Sequence, residues 1–396
     1  MHLIRRVNAA GKESGQILPL FALVLPLLLC FVGLGIDFGF AYLTKAELSK
    51  ASDAASLAAM RNLGRGETEA TAIGMSVFAL NYSATVPTVS ITYSSDSYGD
   101  PRVNVSAVAK IQTHFIGIAG FKTLTIAASS QATRPPIVMS MVLDKSGSMN
   151  YNGGATALPP SVQDFLGYFI EGTDRVGEIT FSSIATQDVA ISTSFQTQIR
   201  NSVKAMRFGG ATYAQGGLLD AQAQVQGVTL APPNAVQVVV FFTDGWANTN
   251  QDTLSCSRNP VNYGGCSPVE QAVGWCSGVS FLSPSNGNSV SCNASTFPAQ
   301  DPGLSHSINP TDISTDAMYR AVQLSDTMRK QGTTIYAIGL GDKVNETYLQ
   351  ELANDPASPE YDPSEPSGMA AFAPSASDLD TVFQTVASRI LLRLTQ

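Results

Sequence analysis

Five side chains in the second half of the chain have the types and spacing of a site for a hard cation. Asp144-Lys145-Ser146-Gly147-Ser148 sets three oxygen-bearing side chains at alternate positions, with Gly147 easing the tight turn that aims them at one centre. Gly209-Gly210-Ala211-Thr212 brings a hydroxyl in a flexible loop ahead of a helical segment, and Thr243-Asp244-Gly245 brings a carboxylate at the end of an apolar run. Carboxylate and hydroxyl oxygens are hard donors, suited to Mg2+, Mn2+ or Ca2+. Asp144, Ser146, Ser148, Thr212 and Asp244 are therefore the candidate metal residues. Asp-x-Ser-x-Ser by itself also fits a strand-end turn or a helix cap, and it is the placement of the other two residues that favours metal. Two carboxylates and three neutral hydroxyls leave a divalent cation under-neutralised when some carboxylate contacts run through water. Such a cation still attracts an anionic oxygen, and a protein partner's Asp or Glu suits that position.

Catalytic chemistry has less support. The His residues are His2, His114 and His306, and no G-x-S-x-G elbow or P-loop accompanies them. Phosphatases with a nucleophilic Asp usually place a second Asp two residues on, where this chain has Ser146. The chain is read as a non-enzyme, with an envelope metallohydrolase kept as a third reading.

The segment after Arg134-Pro135-Pro136 alternates apolar runs with helical patterns. Ile137 to Leu143, Val176 to Phe181, Val236 to Phe242 and Thr333 to Leu340 are expected strands. Helices are expected near 158–171, 213–226, 315–331, 345–354 and 377–394. Near-continuous apolar strands separated by helices indicate a parallel sheet covered on both faces, with ligands beyond the carboxyl ends of its strands at a topological switch point. The five candidate residues, in this strand context, match the signature of the metal-ion-dependent adhesion site of von Willebrand factor A domains, and the segment 137–394 resembles that family. The resemblance implies a Rossmann-like, doubly wound sheet. It also implies Mg2+ as the first choice of metal, with Mn2+ or Ca2+ as alternatives, and metal-bridged adhesion to a protein. Ser146 and Ser148 would then be direct ligands, Thr212 a ligand that engages or withdraws with its loop, and Asp144 and Asp244 carboxylates acting directly or through water.

The chain begins very differently. Ile17 to Ile36 is a run of twenty residues without a charge, about 30 Å as a helix, the hydrocarbon thickness of a bilayer. It is longer than a signal-peptide core and passes into Asp37 without a small-residue cleavage site, so it reads as a retained anchor. Arg5, Arg6 and Lys12 precede it, which keeps the N-terminus cytoplasmic and sends the rest across. Pro19 and Pro26 within the run hint at helix partners that satisfy the freed carbonyls. Beyond it, Leu43 to Leu63 is rich in helix formers, with a small face of Ala51, Ala54, Ala55 and Ala58 that lets another backbone approach closely. Gly15-Gln16-Ile17, Gly33-Leu34-Gly35-Ile36-Asp37 and Asp53-Ala54-Ala55-Ser56-Leu57-Ala58 resemble the N-terminus of TadG-like proteins of the bacterial tight-adherence, or Flp, pilus system. Related pilin-like subunits carry Glu five residues after the processed Gly, where this chain has Leu20, which favours a permanent anchor. From Val86 to Thr133 alternating β-branched residues predict a small β-rich unit, and the resemblance implies a pilin-like helix packed on a sheet.

Between Asn248 and Pro310 the sequence turns rich in Ser, Asn, Gly and Pro, with no useful periodicity. It carries Cys256, Cys266, Cys276 and Cys292, an even number on the expected oxidising side of the membrane. That is consistent with two disulfides in one of three pairings, while zinc would ask for C-x2-C spacing. Cys30, in the apolar run, stands apart.

The expected organisation is a basic tail (1–16), a transmembrane anchor (17–42), a pilin-like α+β unit (43–134) and an α/β von Willebrand factor A domain (137–394) with an insertion at 248–310. Charge supports the division: residues 1–136 carry 11 basic and 8 acidic side chains, residues 137–396 carry 12 and 23. A net charge of −8 opposes nucleic-acid binding, and 14% charged with 44% apolar residues opposes disorder. The expected function is a metal-dependent adhesion component of a tight-adherence pilus system, anchored in the bacterial inner membrane with the bulk of the chain outside the cytoplasm. Its expected partners are pilus or secretion-system subunits. An anchored scaffold or chaperone for another envelope complex is the alternative.

Overall fold

The computed structural model of the chain describes residues 17–96, 99–229, 235–252, 270–275, 278–282, 286–290, 296–305 and 307–394. They fall into two compact units. The first comprises the opening helix up to Ala59 together with Thr71–Tyr93 and Val103–Ala132. Its helix α1 (Ile17–Asn62) runs unbroken through 46 residues, about 69 Å, with Pro26 inside it. Leu20 to Tyr42 present exposed Leu, Phe, Val and Ile side chains, a surface with the length and polarity to meet lipid, and Cys30 is exposed among them.

The next stretch of α1 behaves differently. Ala51, Ser52, Ala55, Ser56 and Ala59 are buried. Helix α2 (Glu67–Asn81) approaches them closely at Gly74, where an added Cβ would lie 3.1 Å from Ala59 Cβ and 2.8 Å from Ile91 Cδ1. Of the expected small face Ala51 and Ala55 thus pack within the chain, as small residues permit, while Ala54 and Ala58 stay half-buried and Ser52, Ser56 and Ala59 complete the packed side. Strands β1 (Thr88–Ser95), β2 (Pro101–Gln112) and β3 (Thr123–Thr133) form a sheet in that order. β2 buries its odd-numbered residues, from Val103 to Ile111, and exposes its later even-numbered ones. Ser56 Oγ lies 3.1 Å from Ser130 Oγ, and Thr71 Oγ1 is 2.8 Å from the Tyr93 hydroxyl.

The second unit is a six-stranded sheet. Its strands are β4 (Ile137–Asp144), β5 (Arg175–Phe181), β6 (Ala185–Ser192), β7 (Val236–Thr243), and, after the insertion, β12 (Thr334–Leu340) and β13 (Met369–Ala373). The order is β13-β12-β7-β4-β5-β6, with every pair parallel except β5–β6. β4 is buried along its whole length because helices cover both faces. Helices α3 (Gly154–Leu166), α4 (Gln196–Ala205) and α8 (Leu379–Leu394) pack on Met139, Met141, Leu143 and Phe242. Phe165 meets Phe383 edge-on at 5.5 Å in that layer. Helices α5 (Ala214–Gln226), α6 (Pro310–Lys330) and α7 (Glu346–Ala353) pack on Val142, Ile179, Val239 and Phe241. α6 starts at an Asn309 cap that accepts from the Asp312 amide and ends with Arg329 and Lys330, a polarity that suits the helix dipole.

All four expected strands are present, and each expected helix occurs within a few residues of its place. The expectation of a parallel sheet holds for its core. It misses β6, an antiparallel edge strand joined to β5 by a turn in which the Ser182 amide donates to the Ile184 carbonyl. It also misses the structure in the insertion. There β8 (Thr249–Asp252), β9 (Glu270–Trp275), β10 (Gly278–Leu282) and β11 (Ser289–Val290) form an antiparallel sheet, order β11-β10-β9-β8. Buried Asp316 and Arg320 of α6 fasten this region: Asp316 accepts from the amides of Gln300 and Asp301 and from Asn250, while Arg320 pairs with Asp316 and Asp252. Cys256, Cys266, Cys276 and Cys292 lie outside the described residues.

A buried ion pair closes the start of this unit. Arg134 donates to both oxygens of Asp174 at 2.8 and 2.6 Å, and the same carboxylate accepts from the amides of Ile137 and Ile170. Four donors around one buried carboxylate lock the first residue of β4 to the segment leading into β5.

Candidate metal centre

The central strand β4 is the switch point of the sheet: the chain proceeds to β5 on one side and later returns to β7 on the other. A crevice opens at the carboxyl ends of such neighbours. Asp144 ends β4 fully buried, and Asp244 follows β7, also buried.

Hydrogen bonds link four of the five candidates. Asp144 Oδ1 accepts from the Ser146 amide at 2.7 Å, and Ser146 Oγ is 2.9 Å from Ser148 Oγ. Ser148 Oγ donates to Asp244 Oδ1 at 2.6 Å. Two residues outside the expected set hold the carboxylates from behind. Thr243 donates its hydroxyl to Asp144 Oδ2 at 2.6 Å, and Asn152 donates its side-chain amide to Asp244 Oδ2 at 2.7 Å. Thr243 adjoins Asp244 on an apolar strand and reads there as a β-former. Asn152, eight residues after Asp144, carries no spacing signal at all.

Thr212 is brought alongside by its loop. The Gly147 amide donates to the Gly210 carbonyl (3.0 Å) and the Gly209 amide to the Lys145 carbonyl (2.8 Å), which laces this loop to the Asp-x-Ser-x-Ser turn. Gly210 has φ +87°, and an added Cβ would sit 2.7 Å from Ser183 Oγ, so both conformation and space call for glycine. The Thr212 backbone exchanges two hydrogen bonds with Asn248, to its side chain at 2.8 Å and from its amide at 3.1 Å. Among the described residues the Thr212 hydroxyl has no hydrogen bond to the other four candidates.

Electrostatically the centre is a hole for positive charge. Burial, then the neighbouring Asp244 carboxylate, push Asp144 up to about 7, and burial also raises Asp244. Among the described residues neither carboxylate has an ion pair. Nor do three or more His, Cys, Asp or Glu side chains come together there in a group that could hold a metal ion, so the neighbouring hydroxyls are the further donors at hand. Two unpaired buried carboxylates joined by hydroxyl oxygens fit a hard divalent cation. Around the mouth, Ser148 and Asn150 are exposed, Tyr151 is 91% exposed and Trp246, two residues after Asp244, is 50% exposed. His114 belongs to the first unit, and His2 and His306 lie outside the described residues.

The sheet order, with Asp144 and Asp244 beyond the carboxyl ends of adjacent parallel strands, is that of a doubly wound α/β fold. Residues 139–263 match the family model described as von Willebrand factor type A domain, and residues 15–62 match that of putative Flp pilus-assembly TadE/G-like. The chain thus joins a TadE/G-like N-terminal segment to a von Willebrand factor type A domain, as a TadG-like protein does. No curated protein matches it significantly. Among solved structures, proximal thread matrix protein 1 from the mussel byssus is 16% identical, with 65% of this chain and 46% of that one covered and a TM-score of 0.39. The pilus adhesin SpaC from Lactobacillus rhamnosus GG is 16% identical, with 78% and 35% covered and a TM-score of 0.44. The von Willebrand factor domain of a type V pili tip protein from Porphyromonas gingivalis is 15% identical, with 67% and 98% covered and a TM-score of 0.43. The chain spans less than half the length of the first two, and likenesses this loose say nothing about ligand or partner.

Proposed function

We propose that this chain is a membrane-anchored, non-catalytic component of a Flp pilus assembly system whose A domain binds a protein partner through a divalent cation. The observation that carries the reading is the unpaired carboxylate pair Asp144 and Asp244, joined through Ser146 and Ser148 at the switch point of the sheet. Asp144, Ser146, Ser148 and Asp244 would hold the cation, Mg2+ first and Mn2+ or Ca2+ as alternatives, with Thr212 entering from its glycine-rich loop. Bound there, the cation supplies an electrophilic docking point for a carboxylate of a pilus or secretion-system subunit. The residues of the chain do the rest. Thr243 and Asn152 fix the carboxylates, and Trp246 and Tyr151 offer large amphipathic contact area beside them, the residue types that anchor interfaces. Helix α1 anchors the chain in the bacterial inner membrane, with the basic tail cytoplasmic and the A domain outside, where the four late cysteines would pair as disulfides.

The test is capture of pilus-system subunits by full-length protein in detergent. Capture in Mg2+ that is lost in EDTA and in Asp244→Asn protein supports the reading; an identical set of subunits in all three contradicts it.

A further inference from the structure

The connection between β2 and β3, residues 113–122, is unusually apolar for an exposed loop. It carries Phe115, Ile118 and Phe121, of which Ile118 is 87% and Phe121 67% exposed. Three exposed large side chains on one short loop mark an interaction surface.

Its position says what it meets. Within the first unit the loop is clasped to α1 by Asp37, whose side chain is almost completely buried. The carboxylate accepts from the amides of His114 (2.9 Å), Phe115 (2.9 Å) and Ile116 (2.7 Å). One turn earlier on the helix, an added Cβ at Gly33 would lie 2.4 Å from Phe115 Cγ, so the ring lies directly on the helix backbone. The His114 ring is 6.0 Å from that of Phe40. Measured from the centre of the Ile17 to Ile36 run, Gly33 is about 10 Å and Asp37 about 16 Å along the axis, whereas the hydrocarbon half-thickness is about 15 Å. The loop is therefore held at the edge of the hydrocarbon layer, level with the exposed Phe31, Val32, Ile36 and Phe38 of the anchor.

Backbone at that depth must have its polar groups satisfied by protein. Besides the three amides on Asp37, Thr113 donates to the Lys122 carbonyl, Ile118 to Phe115, Gly120 to Gly117 and Phe121 to Ile116. The arrangement is reciprocal: the loop covers a carboxylate that lipid would otherwise face, and the carboxylate satisfies amides that lipid could not. Exposed Lys110 and Lys122 flank the apolar tip and suit anionic headgroups just above it.

We infer that the 113–122 loop is a second membrane contact, inserting Phe115, Ile118 and Phe121 into the outer interface of the same bilayer that holds α1. It rests on the reading of α1 as a membrane anchor. Its consequence is mechanical: α1 and the sheet are pinned to the membrane at two points rather than one, which limits how freely the chain swings on its helix.

The experiment uses full-length protein in phosphatidylcholine–phosphatidylglycerol vesicles containing brominated phosphatidylcholine, which quenches tryptophan at contact. Single substitutions Ile118→Trp, Phe121→Trp, Leu28→Trp and Gln131→Trp are read against the wild-type signal of Trp246 and Trp275. We expect Ile118→Trp and Phe121→Trp to be blue-shifted and quenched several-fold more than Gln131→Trp, which lies about 30 Å along β3 from the tip. Gly33→Leu in the Ile118→Trp background should displace the loop and reduce its quenching. If Leu28→Trp is quenched while both loop probes are not, the anchor stands and the loop inference is overturned, whether the probes face water or another protein. If Leu28→Trp is also unquenched, the anchor reading itself falls, and the inference with it.

Discussion

Stripped of cation, the A domain should lose stability as the pH rises, and Mg2+ should cancel part of that loss. Asp144 is fully buried, with its carboxyl pushed up to about 7 by burial and by Asp244, against an ordinary value of 3.8. Between those two values the native protein keeps a proton that the unfolded chain has released. The native state then binds more protons, so the stability falls with rising pH; it is fully present below about pH 4 and gone above about pH 7. At 1.36 kcal/mol per pH unit, an interval of about three units amounts to about 4 kcal/mol. Glu178, buried within β5, contributes with the same sign. Burial, opposed by the Ser202 hydroxyl, and then the neighbouring Asp188, push it up to about 7 from 4.5. It is not among the candidate metal residues, so Mg2+ leaves its share untouched. Urea unfolding midpoints of the full chain across about pH 5 to 8 should fall steeply in EDTA and less steeply in Mg2+, whereas Asp144→Asn protein should show the shallower slope in both. Titration calorimetry in buffers of different ionisation enthalpy adds a direct count: near pH 6 each Mg2+ should displace about one proton, and above about pH 8 almost none. An EDTA slope that Mg2+ does not change, or Mg2+ binding near pH 6 without proton release, would refute the reasoning.

Arg134→Ala strands the buried Asp174 carboxylate, and urea unfolding should register a loss of about 3–5 kcal/mol. Asn152→Ala frees Asp244 Oδ2, so calorimetry should find Mg2+ affinity lowered roughly tenfold or more while the thermal midpoint stays close to wild type. Trp246→Ala should weaken capture of the partner by about 2 kcal/mol without changing Mg2+ affinity, because Trp246 is half-exposed two residues after Asp244 and offers no oxygen ligand.

What the sequence conveyed and what it concealed have physical causes. Ile137 to Leu143 and Val236 to Phe242 announce themselves because strands covered on both faces need apolar residues at every position. The Asp-x-Ser-x-Ser turn is visible because its residues are contiguous. Asn152 is invisible because an amide that reaches back to a carboxylate across a folded turn leaves no periodic trace. β6 escapes notice because only Val189 among its residues is buried, so an edge strand pairs with β5 without the apolar alternation that marks a strand. The insertion misleads for a similar reason. Its strands pair with one another, and a polar network on Asp316 and Arg320 fastens the region where an apolar stripe would have been readable. On α1 the buried Ala51 and Ala55 are legible as a packing surface, but that their neighbour is α2 of the same chain depends on Gly74, a lone glycine in a helical stretch.

The most direct measurement of the central claim is Mn2+ binding by the full-length protein in detergent, followed by electron paramagnetic resonance. Mn2+ takes the same hard oxygen ligands as Mg2+ and its free signal broadens on binding. We expect the wild-type chain to bind Mn2+ in competition with Mg2+, and Asp244→Asn protein with an unchanged thermal midpoint to lose that binding. Folded wild-type protein that leaves the free Mn2+ signal untouched, or Asp244→Asn protein that binds as well as wild type, would contradict a cation centre built from Asp144, Ser146, Ser148, Thr212 and Asp244.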